Sequence, residues 1–183
     1  MTTYYEKIPF IWEQPKPVVQ ISERLIFRSL NHVSIEDFTA AVSCAISSSL
    51  DRSDQKTVRE LGANEAAAKL MAQVSNDFDY EPQWWQLGYN NIGELVGFIQ
   101  PVILYRGCRK ENLEEGTIYY IGVVPKQRGK RYIYDLLCQG THVLQKIGVW
   151  QIFCDTDVLN APMIRAFQDV GYRQFASPWQ RPL

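Results

Sequence analysis

The stretch VVPKQRGKRY, residues 123–132, runs from an apolar segment into a basic turn containing glycine, and a helical pattern follows it. A strand that turns on glycine into a helix has a chemical use. The first turn of a helix presents unpaired backbone N–H groups and the positive end of the macrodipole, so an anion placed there is stabilised. Gly129 permits unusual backbone angles and close approach of a ligand, while Arg128, Lys130 and Arg131 add positive charge. The same residues also suit a plain solvated turn. The stretch matches neither the phosphate-binding pattern G-x-x-x-x-G-K-[ST] nor the dinucleotide pattern G-x-G-x-x-G.

Acid–base candidates are few. Glu114 and Glu115 precede the run TIYYIGVV, which holds Tyr119 and Tyr120, and Asp155 closes the run WQIFC. A carboxylate at any of these places can act as a general base if it lies within reach of a reacting group. Each also reads as a solvated loop carboxylate, and the tyrosines as packing. Cys154 has the chemistry of a nucleophile, but a strand cysteine also reads as a small core residue. Trp84 and Trp85 adjoin on an expected strand, so one should face the core and the other the opposite side, where it can wall a pocket.

The elements that must position these residues follow from periodicity. Residues 1–22, with Pro9, Pro15 and Pro17, read as an extended arm rather than a regular element, suited to covering a sheet edge or a partner subunit. RLIFRS reads as a short strand. SIEDFTAAVSCAI reads as a helix, with Ser34 and Asp37 resembling a capping box and Phe38, Ala41, Val42, Ala45 and Ile46 on one face. The polar break SSSLDRSD leads to a second helix through Met71 and Val74. WWQLGYN and ELVGFIQPVILY read as strands joined by the turn NNIG, ENLEEG as a charged loop, and TIYYIGVV as a third strand. A helix with Leu136, Leu137 and Leu144 on its stripe, the strand WQIFC, the helix APMIRAFQDV and the strand GYRQFA complete the order β-α-α-β-β-β-α-β-α-β.

Composition bounds the function. A length of 183 residues suits one domain over residues 23–183 behind the arm. A net charge of −1 gives no field to attract nucleic acid or acidic membranes, so anion binding must be local. No apolar run is long enough for a membrane span and no signal peptide is evident. The cysteines (Cys44, Cys108, Cys138, Cys154) and histidines (His32, His142) are scattered, which argues against a metal site and for free thiols in the cytoplasm.

IGVVPKQRGKRYIYDLL resembles the coenzyme A-binding segment of the GNAT superfamily of acyl-CoA-dependent N-acyltransferases, V-x-P-x-x-R-G-x-G-x-G/A followed by a helix. Val123, Pro125, Arg128 and Gly129 match it. NAPMIRAFQDVGY resembles the last block of that family, with Asn160, Ala161, Phe167, Gly171 and Tyr172 at the expected spacing. The resemblance implies an α+β, mixed fold with a mostly antiparallel central sheet and helices on both faces. It implies an acetyl-CoA-dependent N-acetyltransferase that acts by direct attack of a primary amine, on a small molecule or a peptide, with no metal. A homodimer is compatible with it, and the alternative on the same fold is a non-catalytic acyl-CoA-binding module.

Site residues follow from the same resemblance. Ile121, Gly122 and Val123 correspond to the strand that pairs with the pantetheine arm. Arg128, Gly129, Lys130, Arg131, Tyr132 and Ile133 correspond to the pyrophosphate cradle, and Asn160 and Phe167 to cofactor-binding positions near the pantetheine or the reacting centre. Glu115, Tyr119, Asp155 and Asn160 are the catalytic candidates. Asn160 also suits a helix N-cap, which uses only its side-chain oxygen. Three positions depart from the family pattern: Arg131 replaces the second glycine, Ile133 the third small residue, and Phe167 a tyrosine that protonates the departing thiolate.

Overall fold

The computed structural model describes residues 4–17, 19–110 and 113–182. Among these, eight strands form one mixed sheet in the order β2-β3-β4-β5-β6-β1-β7, with β8 also paired to β1. The strands are β1 (Tyr4–Glu13), β2 (Ile26–Ser29), β3 (Gln86–Tyr89), β4 (Leu95–Lys110), β5 (Leu113–Val123), β6 (Gln151–Asp157), β7 (Arg173–Gln174) and β8 (Trp179–Pro182). Five helices complete the fold: α1 (Ile35–Ile46), α2 (Arg52–Leu61), α3 (Ala63–Asp77), α4 (Tyr132–Ile147) and α5 (Ala161–Val170). The expected mixed α+β class and mostly antiparallel sheet are present.

The N-terminal segment corrects an expectation. Tyr4–Glu13 is a regular strand inside the sheet, paired to β6 from Lys7↔Asp157 to Glu13↔Gln151. Pro9 is tolerated because β8 pairs Tyr4–Lys7 and β7 pairs Phe10–Ile11, so the proline falls where that edge is interrupted. Burial of Phe10 and Trp12 among residues of α4, α5 and β6 holds the strand in place. The expected charged loop at ENLEEG is also corrected: Glu114, Glu115 and Gly116 belong to β5, while Glu111 and Asn112 lie outside the described residues. Trp84 and Trp85 precede β3 in a turn rather than lying on a strand. Trp85 is fully buried and stacks on Tyr80 at 3.9 Å.

The second helical stretch is two helices, because Gly62 at φ 81° breaks it. Ser34 caps α1 by accepting from the Asp37 N–H at 3.0 Å, as the capping pattern predicts. Phe38, Ala41, Val42 and Ala45 of α1 pack with Ala67, Met71 and Val74 of α3 and with Phe98 and Val102 of β4. Leu136, Leu137 and Leu144 of α4 enter two other clusters, built on β1, β4 and β6.

A gap in the sheet lies between β5 and β6. These two strands run parallel and pair only at Glu115↔Gln151 and Gly116↔Ile152. Beyond those pairs no ladder joins Thr117–Val123 to Phe153–Asp157, so the sheet is split. On its other side β5 stays paired to β4, with a register shift that sets Gln100 opposite Tyr120 and Pro101 opposite Ile118. Tyr119 is the extra residue of this bulge, which re-aims the side chains around it.

Candidate active site

Two cavities open along the split. The first, of about 510 Å³, is lined by Ile121, Gly122 and Val123 of β5, by Arg128, Gly129, Arg131, Tyr132 and Ile133 of the following turn and α4, and by α5 residues including Arg165 and Asp169. The second, of about 630 Å³, lies against α2 and α3, with Asp54, Lys69, Tyr119, Cys154 and Asp155 in its wall. Ser49, Tyr120, Ile121, Asn160 and Met163 line both. The two cavities therefore meet at Tyr120 and Asn160.

The turn after β5 brings glycine and cations to an uncapped helix start. A 3₁₀ turn at Pro125–Gln127 is followed by Gly129 at φ 79° and Arg131 at φ 63°, and α4 starts at Tyr132 with no side-chain cap on its first turn. Arg131, where the family has its second glycine, is the one positive-φ residue other than glycine among the described residues. Ile133 lies within α4, where the backbone is helical, so a branched side chain is accommodated.

The cations of the turn are differently used. The Arg128 guanidinium donates to the carbonyls of Val123 (3.1 Å), Ser48 (2.6 Å) and Ala45 (2.9 Å), tying the turn to the C-terminal end of α1. Lys130 Nζ donates to Gln127, and Lys130 does not line the first cavity. Arg131 reaches across to Asp169 on α5 at 2.8 Å, and Arg165 shares that carboxylate.

The catalytic candidates separate in space. Glu115 is buried in β5 opposite Gln151 and lines neither cavity. Asp155 lines the second cavity, but Lys7 of β1 bridges it to Asp51 at 3.2 Å each way. Burial opposes the charge on Lys7, yet Asp155 and Asp51 outweigh burial and raise its pKa above the usual lysine value. Tyr119 and Tyr120 both line the second cavity, although adjacent strand residues normally face opposite sides; the bulge accounts for this. Asn160 caps α5 through Oδ1, which accepts the Met163 N–H at 3.4 Å. Phe167 is core, stacked on Phe10 at 4.8 Å. Burial pushes the Cys154 thiol up to about 12, so it is a neutral packing group at ordinary pH. Tyr172 is likewise core, its hydroxyl 2.8 Å from Thr141 Oγ1.

The residue that periodicity and motif missed is Asp54. It sits in the first turn of α2, and its Oδ2 accepts the Tyr120 hydroxyl and the Ser49 hydroxyl, each at 2.6 Å. Burial lifts the Asp54 pKa above the ordinary carboxylate value, against the two hydrogen bonds that lower it. The same burial, with the Asp54 charge beside it, holds the Tyr120 phenol well above 10. Its sequence signal was only the polar break SSSLDRSD, which contains both Ser49 and Asp54.

Residues 51–172 match the model of the acetyltransferase (GNAT) family. The chain belongs to the GNAT family of acetyltransferases. The match spans the split strands, the turn at residues 125–131 and the α5 block described above. The fold is shared with solved GNAT structures: a GCN5-related N-acetyltransferase from Sphaerobacter thermophilus (TM-score 0.60, 17% identity, 99% of this chain and 53% of that one) is similar throughout. A candidate acetyl transferase from Pyrococcus furiosus is similar at TM-score 0.62 and 19% identity, over 87% of this chain and 99% of that one. A GNAT-family acetyltransferase from Colwellia psychrerythraea gives TM-score 0.53 at 11% identity, over 98% and 55%. This chain thus spans about half the length of the Sphaerobacter and Colwellia proteins. No curated protein sequence matches it significantly. Among the described residues no helix is long and apolar enough to cross a membrane, and no His, Cys, Asp and Glu cluster is placed to hold a metal ion.

Proposed function

We propose that this GNAT protein is an acetyl-CoA-dependent N-acetyltransferase that acetylates a primary amine by direct attack. The observation that carries the reading is the meeting of two cavities at Tyr120 and Asn160. One cavity has the features a coenzyme A pyrophosphate needs, and the other offers an amine carboxylates and aromatic walls.

The first cavity fits coenzyme A on its own chemistry. An uncapped helix start with Gly129 beside it supplies N–H donors, and Arg131 and Arg165 supply positive charge with Asp169 as the counter-charge. Ile121, Gly122 and Val123 present the strand edge at the split, where a polyamide arm finds backbone partners. Bound acetyl-CoA supplies the acetyl group as a thioester. Around it, Asn160 and Tyr120 stand where the cavities join.

A second reading, a non-catalytic acyl-CoA-binding module, is favoured by one observation: Phe167 carries no hydroxyl where many relatives carry tyrosine. Release of free thiol from acetyl-CoA, measured against a panel of primary amines, separates the two. Amine-dependent release above hydrolysis supports the transferase. Stabilisation by acetyl-CoA with no amine-dependent release supports the binding module. A cytoplasmic location and a small-molecule or peptide acceptor belong to the same proposal.

A further inference from the structure

The acceptor cavity holds three aspartates, and two of them are spoken for. Asp155 and Asp51 share Lys7, and Asp51 also caps α2 by accepting the Ser53 N–H at 2.9 Å. Asp54 makes no ion pair with any described cation. Its Oδ2 is saturated by Tyr120 and Ser49, and among the described residues no group bonds to Oδ1. Tyr120 in turn lines both cavities.

We propose that Asp54 and Tyr120 are the proton-handling pair of the reaction, Asp54 taking a proton from the acceptor ammonium through Oδ1 and Tyr120 returning one to the departing sulfur. This rests on the acetyltransferase reading. The balance is complete without a co-reactant. The ammonium group loses two protons in becoming an amide: one goes to Asp54 and the other to solvent water. The nitrogen–carbon bond forms as the carbon–sulfur bond breaks. When the Tyr120 proton passes to sulfur, the Asp54 carboxylic acid turns about its Cβ–Cγ bond and presents the proton gained on Oδ1 to the Tyr120 oxygen, which rests 2.6 Å from the other carboxyl oxygen, and both side chains return to their starting forms. Tyr120 thereby fills the task for which Phe167 lacks a hydroxyl.

The surroundings suit a base that titrates above the usual carboxylate range. Burial raises the pKa most, the Ser49 and Tyr120 hydroxyls lower it, Asp51 at the head of the same helix raises it and Lys7 from β1 lowers it. Tyr119 on β5, Lys69 on α3 and Arg181 on β8 line the same cavity.

The test uses the whole chain, acetyl-CoA and methylamine, a probe small enough to enter the cavity. Thiol release is followed from acid to alkaline pH for wild type, Asp54→Asn and Tyr120→Phe, alongside stabilisation by acetyl-CoA. Asp54→Asn should lower kcat/KM for methylamine by about 10²- to 10⁴-fold near neutral pH, with acetyl-CoA binding retained. Its deficit should shrink toward pH ~10.4, where the free amine no longer needs a base. Tyr120→Phe removes a hydrogen bond that lowers the Asp54 pKa, so the acidic limb should move to higher pH; it decides the matter if Asp54→Asn fails to fold. An Asp54→Asn profile parallel to wild type, an unmoved Tyr120→Phe limb, or wild type that binds acetyl-CoA without methylamine-dependent release overturns the assignment. Wild type that does not bind acetyl-CoA defeats the transferase reading instead.

Discussion

The Tyr120 hydroxyl donates to Asp54 Oδ2 at 2.6 Å, joining the bulged strand β5 to the first turn of α2 where the two cavities meet. A buried carboxyl whose pKa is raised in the folded state binds more protons folded than unfolded across the window between its two pKa values. Stability is therefore lost as pH rises through that window, which starts near the ordinary value of 3.8. Asp54→Asn should remove that loss. Thermal melts should show the variant gaining stability over wild type at neutral pH, with the gain vanishing below about pH 3.8.

Arg52 and Asp157 make the opposite case. Asp157 is fully buried at the end of β6 and accepts Arg52 Nε at 2.8 Å and Nη2 at 2.9 Å, together with the backbone N–H groups of Arg52 and Leu159. Burial opposes the charge, but these donors outweigh it and hold the Asp157 pKa below the ordinary value. The stability it contributes is present above about pH 3.8 and is lost as pH falls through the lower folded pKa. Arg52→Ala should cost about 3 kcal/mol, the low end for stranding a buried charge, because two backbone donors remain. Denaturant unfolding at neutral pH measures it.

Arg131→Gly tests what the cradle uses. Glycine relieves a left-handed residue of about 1 kcal/mol and gives up a mostly exposed ion pair of about 0–1 kcal/mol. Stability should change by less than about 1 kcal/mol, and acetyl-CoA affinity should hold within a few-fold if backbone amides carry the pyrophosphate. A loss of about 100-fold by calorimetry would assign the phosphate to the Arg131 side chain.

Arg128→Ala addresses position rather than charge. The side chain spans the carbonyls of Ala45, Ser48 and Val123, so its loss frees the turn from α1. Hydrogen exchange should quicken across residues 125–131, with acetyl-CoA affinity falling and global stability reduced by about 1–2 kcal/mol.

Local chemistry wrote much of this structure into the sequence. The Ser34 cap, the α4 stripe and the VVPKQRGKRY turn rest on near neighbours along the chain, and each stands as periodicity and capping predict. Long-range pairing was not legible. Pro9 argued against a strand because nothing local shows that β7 and β8 leave a gap opposite it. The bulge at Tyr119 depends on the register of β4, and Asp54 acquires meaning only when the first turn of α2 brings it to Tyr120 of β5. That Glu115 lies buried opposite Gln151 and that Lys7 bridges Asp155 are tertiary facts, which position along the β-runs does not show.

Acetyl-CoA bound in the split between β5 and β6, with its pyrophosphate at the start of α4, should protect the backbone there. Hydrogen exchange with and without acetyl-CoA measures that protection. Slowed exchange should concentrate in Ile121–Val123 and Gly129–Ile133, together with stabilisation of about 2.7 kcal/mol at 100 times Kd. Unchanged exchange in both segments at saturating acetyl-CoA, or protection confined to another part of the sheet, would contradict that placement.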